Sequence, residues 1–359
     1  MTLPHAVLVA GPTASGKSAL ALALAERLNG TIVNADSMQV YRELRVLTAR
    51  PTPEEEARVP HALYGVRPAG QPGSVVWWRG EALAAMRAAH DAGRLPIVTG
   101  GTGLYFASLT DGLAAIPSPT PEARAEARAL VGDIGAPALH ARLAAADPAT
   151  AAKLQPNDRQ RIARAWEVWR STGAGLAAWQ AQGDTERDTG EGHPGPGGPI
   201  QGAPAQEGQG QGDIGQGDIG QGNTGRGSPA PWRFTAILLD PPRDELRAAI
   251  ATRFDAMLAD GALDEVRTLL AQHLDPALPA MRAHGVPELS GYLRGEITLE
   301  QAAIRTAQVT GQYTKRQATW FRHHALAART HTIHARFAEL TQFSERILDE
   351  IVAFVQGPG

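Results

Sequence analysis

The chain has no cysteine among its 359 residues, which excludes disulfides and every zinc site built on thiolates and points to the cytoplasm. Long apolar runs are missing too. The strongest near the start, Ala19 to Ala25, is far short of the roughly 20 residues that cross a bilayer, so no membrane span is expected. The segment "AVLVA" at 6–10 reads as a core strand and leaves no room ahead of it for a signal or transit peptide. A large charge of either sign is also lacking. The net charge of −3 argues against bulk, non-specific nucleic-acid binding and leaves a local basic stripe as the route to RNA. What is present is a hydrophobic content of 43%, enough at this length for a full α/β core and a smaller module.

The first hundred residues alternate strand and helix. "AVLVA" leads into "GPTASGKSAL", a helix follows from about Ser18 to Asn29 with Gly30 as its stop, and "TIVNA" is a second strand. A helix over about Gly80 to Asp91, stopped by Gly93, precedes a third strand, "LPIVTGG". This alternation predicts an α/β fold, a P-loop core with a parallel sheet flanked by helices. From Ile116 the texture changes to short Ala/Arg-rich helices, the last of them "NDRQRIARAWEVWRSTG" with Asn157 as N-cap and Gly173 as stop. The next strand is "FTAILLD" at 234–240, after which the chain reads as helical. The expected division is therefore 1–115 for the first part of the core, 116–180 for an all-helical insertion, 181–231 for a linker and 232–359 for the rest of the core. That linker carries 16 of the 39 glycines and the repeat "GDIGQGDIGQ"; such a composition cannot bury enough apolar surface to order itself. "RDELRAAIATRFDAMLADG" places Leu246, Ile250, Phe254, Met257 and Leu258 on one helical stripe, and "TLEQ" at Thr298 fits a capping box opening a long helix.

"GPTASGKS" matches the phosphate-binding pattern G-x-x-x-x-G-K-[ST], preceded by a strand and followed by a helix. Gly11, Pro12, Thr13, Ala14, Ser15 and Gly16 form the loop whose backbone amides face phosphate; Lys17 reaches the phosphates and Ser18 offers a hydroxyl to Mg²⁺. Asp36 and Ser37, just past the second strand, fall on the same carboxyl edge of the sheet. A carboxylate there has three available jobs: Mg²⁺ ligand, general base, or cap of the following turn. The third strand ends in Thr102 and glycines, where an NTP hydrolase wants an acid. In "RQRIARAWEVW", Ile162, Ala165, Trp166 and Trp169 make an apolar stripe, with Arg161 and Arg164 beside it as phosphate-contact candidates. Lys315 and Arg322 share a face of the long helix, next to Arg316.

Taken together, "GPTASGKS", "ADSMQVY", "TARP", "LPIVTGGTGLYF", "NDRQRIARAWEV", "RFDAMLADGALDEV" and "YTKRQATWFR" resemble, in this order, the bacterial tRNA dimethylallyltransferases, over roughly 1–180 and 232–325. The resemblance implies transfer of a dimethylallyl group from dimethylallyl diphosphate to the exocyclic amine of the adenine 3′-adjacent to the anticodon. It implies a diphosphate rather than ATP in the loop, with Mg²⁺ as cofactor. Asp36 becomes the general base, Thr102 and Arg124 join it at the reacting centre, and Arg253 faces the diphosphate. Asp36, Ser37, Met38, Gln39, Gln160, Arg161, Ile162, Ala163, Arg164, Lys315, Arg316, Gln317 and Arg322 match segments that touch the tRNA anticodon stem-loop. A cytoplasmic monomer is expected. The chain departs from the family pattern at Leu47, where glycine is usual, at Arg50, where lysine is usual, and at Val286 and Gly311. Two other readings remain: an isopentenyltransferase acting on free adenine nucleotides, and an NTP-dependent RNA-binding protein.

Overall fold

The segments 5–10, 30–34 and 95–100 are buried along nearly their whole length, as strands covered on both faces must be, and near-continuous Val, Leu and Ile make that burial favourable. In the computed structural model the described residues are 2–189, 227–337 and 345–357. Strands β1 (His5–Ala10), β2 (Gly30–Asn34), β3 (His61–Ala62), β4 (Leu95–Gly100), β5 (Arg233–Leu239) and β6 (Arg329–Ile333) form one sheet in the order β3-β2-β4-β1-β5-β6. Every pairing is parallel. β1 lies at its centre, with Val7 opposite Ile97 of β4 and Leu8 opposite Ala236 of β5. The loops after β1, β2 and β4 therefore leave the sheet side by side at one edge.

Helix α1 (Lys17–Arg27) follows β1, α2 (Pro53–Arg58) precedes β3, α3 (Val75–Asp91) joins β3 to β4, and α4 (Gly103–Thr110) follows β4. Helices α5 (Pro121–Asp133), α6 (Gly135–Ala146), α7 (Pro148–Ala151), α8 (Arg159–Thr172) and α9 (Leu176–Thr189) come before β5. After it come α10 (Arg243–Ala259), α11 (Ala262–Leu270), α12 (Val286–Leu293) and α13 (Leu299–His323), and α14 (Glu345–Gln356) follows β6. Residue contacts divide the chain into two compact units, the second beginning at Asp111 and containing α5 to α9, the first containing the sheet and the remaining helices. α1 and α14 share the core cluster of the sheet unit with Leu20, Leu24, Ile32, Ile97 and Ile237. The helical unit has its own core of Ala127, Leu139, Leu143, Leu154, Ile162, Ala165 and Trp166.

Several local expectations are corrected. α1 ends at Arg27 with Leu28 as its C-cap, and Asn29, at φ 51°, takes the left-handed turn expected of Gly30, which opens β2 instead. Asp158, not Asn157, caps α8, its carboxylate accepting the Arg161 N–H. Ser74 starts α3 a turn and a half earlier than expected, its hydroxyl accepting the Trp77 N–H. The strand β6 went unread because "RTHTI" is a polar edge strand with three exposed residues in its middle, so it carries little hydrophobic signal. The Gly-rich linker falls mostly outside the described residues, at 190–226. Its first nine residues continue α9, and Gly227 packs against Leu113 at its far end. Ile162, matched to an RNA-contacting segment, is 0% exposed in the helical core. Trp166, read as core, is buried there as well.

Two expectations for the C-terminal half agree with the structure. Thr298 caps α13 through a full capping box with Gln301, and Leu246, Ile250 and Phe254 are buried along α10. For Ile162→Ala, removal of a fully enclosed side chain should lower the unfolding free energy by about 2–4 kcal/mol, measured by urea denaturation. A residue that only touched RNA would change it by less than about 0.5 kcal/mol.

Candidate active site

The phosphate loop spans 11–16 between β1 and α1, and its shape is set by backbone geometry. Gly16 is the N-cap of α1 at φ 89°, and no side chain caps the helix. The first N–H groups of α1 are thus left for an anion, with the positive end of the helix dipole behind them. Ser15 N–H donates to the Pro12 carbonyl at 3.2 Å, closing the loop. Lys17 Nζ folds back to the Pro12 carbonyl at 3.5 Å. Burial pushes its ammonium down to about 8, against the opposing pull of the Asp36 carboxylate, while the Arg253 charge pushes the same way as burial.

Helix α13 pins this loop. Gln317 is 0% exposed; its Oε1 accepts the Thr13 N–H at 2.8 Å and the Thr13 hydroxyl at 3.0 Å. Its Nε2 donates to the Gly101 carbonyl at 2.9 Å. Gln317 is therefore not the RNA contact expected from its motif: its whole amide is spent joining the loops after β1 and β4. The glycines of "TGGTG" serve the same packing. A Cβ on Gly101 would stand 2.2 Å from Gln317 Nε2, and one on Gly103 would stand 2.3 Å from the Trp320 ring. The close approach that these glycines permit is made by α13.

Asp36 follows β2 and is half-buried. Its N–H donates to Asn34 Oδ1 at 2.9 Å, and its Oδ1 accepts the Met38 N–H at 2.9 Å. One carboxylate oxygen thus caps the turn while the other has no hydrogen-bond donor among the described residues. Ser37 N–H donates to the Thr102 hydroxyl at 3.0 Å, and that hydroxyl donates to Ser37 Oγ at 3.4 Å, with Tyr313 of α13 close by. Thr102 is 2% exposed and holds Ser37 in place rather than lining the open space. Gln39 is tied by its Nε2 to the Thr48 and Ala49 carbonyls.

These loops enclose a cavity of about 100 Å³ within the sheet unit. Thr13, Lys17, Ser18, Asp36 and Arg253 form its polar part. Met38, Leu47, Ile250, Phe254 and Met257 form an apolar wall, with His284, Thr310 and Tyr313 beside it. Arg253, on α10, has its pKa lowered by burial, with Asp36 pulling it the other way. Asp36 therefore faces two cations across the cavity. Leu47 is held by α11: the Glu265 carboxylate accepts the N–H groups of Arg45, Val46 and Leu47 at 2.7, 2.7 and 3.0 Å. His284 is kept neutral by burial, its pKa down at about 4; its ring packs edge-on to Tyr313 at 5.1 Å.

The structure thus brings Thr13, Lys17, Ser18, Asp36, Met38, Gln39 and Arg253 together, and adds Tyr313, His284 and Thr310, which the motifs did not single out as site residues. Tyr313 carried a signal, since it stands beside Lys315 within one motif; His284 carried none. Lys315, Arg316 and Arg322 are exposed on α13; Arg316 lies 5.6 Å from the Tyr313 ring and Arg322 is 3.8 Å from Asp240. Arg124, Gln160, Arg161, Ala163 and Arg164 belong to the helical unit, where Arg161 pairs with Asp158 at 3.5 Å and Arg164 with Glu167 at 3.7 Å.

Gln317→Leu would leave Thr13 N–H and the Gly101 carbonyl buried without partners, at a cost of about 2–4 kcal/mol in stability, and should weaken inorganic pyrophosphate binding about tenfold by calorimetry. A second expectation concerns pH. A lysine with its pKa at about 8 is charged below that value and neutral above it. Pyrophosphate affinity should therefore hold at neutral pH and fall, by up to about tenfold per unit, as pH rises through the Lys17 value.

The family pattern described as IPP transferase matches residues 39–194 and 210–324, and that described as isopentenyl transferase matches 4–61. A tRNA dimethylallyltransferase of Granulibacter bethesdensis is 54% identical over 355 residues, covering 98% of each chain. Another, from Gluconobacter oxydans, is 50% identical over 99% of this chain and 95% of its own length. Among solved structures, the tRNA isopentenylpyrophosphate transferase of Bacillus halodurans is 28% identical with a TM-score of 0.60, covering 98% of this chain and 97% of its own. A eukaryotic dimethylallyltransferase acting on tRNA has the same fold, with a TM-score of 0.70 at 22% identity, over 99% of this chain and 80% of its own. On a family match over most of its length and relatives at about half identity over nearly the whole chain, the chain belongs to the IPP transferase family and is a prenyltransferase.

Proposed function

We propose that the protein transfers a dimethylallyl group from dimethylallyl diphosphate to the exocyclic amine of the adenine 3′-adjacent to the anticodon in tRNA. The observation that carries this reading is the cavity in which Asp36, with one oxygen unclaimed among the described residues, faces Lys17 and Arg253 beside the uncapped start of α1. That arrangement separates two charge tasks. The cations and helix amides receive the negative charge that grows on the diphosphate as the allylic C–O bond breaks. The carboxylate takes the proton that the amine loses as the C–N bond forms. The leaving diphosphate departs with the electron pair of the broken bond, and Asp36 ends protonated.

The apolar wall of Met38, Leu47, Ile250, Phe254 and Met257 suits a five-carbon hydrocarbon, and excluding water there protects an allylic centre from hydrolysis. Thr102 acts by holding Ser37, the neighbour of Asp36, in place. Mg²⁺ fits the donor set, since this ion keeps waters, takes few protein ligands and binds substrate phosphates; the exposed Ser18 hydroxyl lines the cavity for it. When bound it would neutralise part of the leaving-group charge. Arg124 is assigned to the site by its motif position. For RNA, the exposed Lys315, Arg316 and Arg322 of α13 and the Arg161 and Arg164 of α8 offer phosphate contacts, while Gln317 and Ile162 do not. The protein acts in the cytoplasm as a monomer. The NTP-dependent reading is disfavoured by the end of β4, where Gly101 and Thr102 stand in place of a magnesium-binding acid.

One assay separates the readings. With Mg²⁺ and radiolabelled dimethylallyl diphosphate, label should enter unmodified tRNA and not AMP; label in AMP alone, or in neither, defeats the proposal. Asp36→Asn removes the base and a negative charge facing Lys17. It should bind pyrophosphate at least as well as the parent protein while transfer falls by about 10²- to 10⁴-fold, and normal turnover would remove Asp36 from the role.

A further inference from the structure

The phosphate loop is gripped from outside its own motif. Past β6, Phe337 N–H donates to the Ser15 carbonyl at 2.9 Å, and Arg336 Nε donates to the Ala14 carbonyl at 2.9 Å. Gly16 abuts the same segment so closely that a Cβ would stand 1.7 Å from the Phe337 carbonyl oxygen. Phe337 is itself fixed, 1% exposed in the core that α1 and α14 share. Ala14 is held at φ 67°, a left-handed conformation that is unfavourable for a residue with a Cβ. The bond from Arg336 to the Ala14 carbonyl helps to offset that strain.

Arg336 also brings charge. Its guanidinium is near enough to Arg253 to push the pKa of that buried arginine down, and Arg253 acts on Lys17 in the same way. Three cations therefore converge on one loop, and the acid that faces Lys17 and Arg253 is Asp36. Neither arginine has an ion-pair partner among the described residues. Unpaired like charges held together are unfavourable in the empty protein and become favourable when an anion arrives.

We infer that Arg336 is a positioning residue of the diphosphate site: its Nε fixes the phosphate loop through the Ala14 carbonyl, and the charge so placed strengthens the attraction for the diphosphate. This rests on the reading that the loop holds a diphosphate. The residue lies 322 positions from the carbonyl it binds, in a segment with no motif of its own.

The bond and the charge can be separated, because Nε2 of glutamine occupies the same place along the side chain as Nε of arginine. Arg336→Gln keeps a donor for Ala14 and removes the charge, whereas Arg336→Lys keeps the charge. Inorganic pyrophosphate with Mg²⁺ is titrated calorimetrically into the full chain at about 50 mM and about 0.5 M salt. Arg336→Gln should bind about fivefold more weakly at low salt, a deficit that closes at high salt, with an unchanged melting temperature. The KM for dimethylallyl diphosphate should rise by the same factor, with kcat moved less, and Arg336→Lys should recover most of the affinity. The inference fails if Arg336→Gln matches the parent protein at low salt, if its deficit ignores salt, or if Arg336→Lys is equally weak. A parent protein that does not bind pyrophosphate at all defeats the diphosphate reading instead, and this inference with it.

Discussion

A single buried amide holds together two loops at the carboxyl edge of the sheet. Gln317 of α13 accepts from Thr13 in the loop after β1 and donates to Gly101 in the loop after β4. Because β1 and β4 are neighbours in register, Ala10 opposite Gly100, this amide completes with side-chain atoms what the sheet begins with backbone bonds. Its energetic weight comes from burial: the groups it satisfies would otherwise be buried polar atoms without partners. The small residues around it follow from that constraint, since any side chain at Gly101 would displace the amide.

The same helix then sets the geometry of the cavity. Tyr313 lies one turn before Gln317, close to Thr102, and packs on His284. Thr102 in turn fixes Ser37, the neighbour of Asp36. A chain of contacts thus runs from α13 to the carboxylate without α13 supplying a charge to the cavity. Its cations, Lys315, Arg316 and Arg322, are exposed instead. One helix therefore divides its buried and exposed faces between shaping the site and presenting positive charge, as an amphipathic helix naturally can.

Within the cavity two cations, Lys17 and Arg253, stand against one carboxylate, Asp36. Lys17 and Arg253 are both disfavoured by burial and both stabilised by Asp36. Such a site favours an anion, because a bound anion supplies the negative charge that the cations lack.

The sequence alone determined whatever depends on neighbours along the chain. The phosphate loop, the β1–α1 and β4–α4 junctions, the capping box at Thr298, the Gly173 stop and the core character of Trp166 all follow from periodicity and local hydrogen bonding. The motif order was equally local, and with it the family. Tertiary structure decided whatever depends on which face of an element is covered. Gln317 and Ile162 sit in motifs matched to RNA contact, yet both are fully enclosed, because helical position fixes which residues of a motif turn inward. The polar edge strand β6 exists through its pairing with β5, which a weak hydrophobic pattern does not announce. Arg336 and Ala14 meet across 322 residues, and His284 enters the cavity only because α12 and α13 pack together. No spacing rule reaches those distances; only the folded sheet, by bringing its loops to one edge, makes them neighbours.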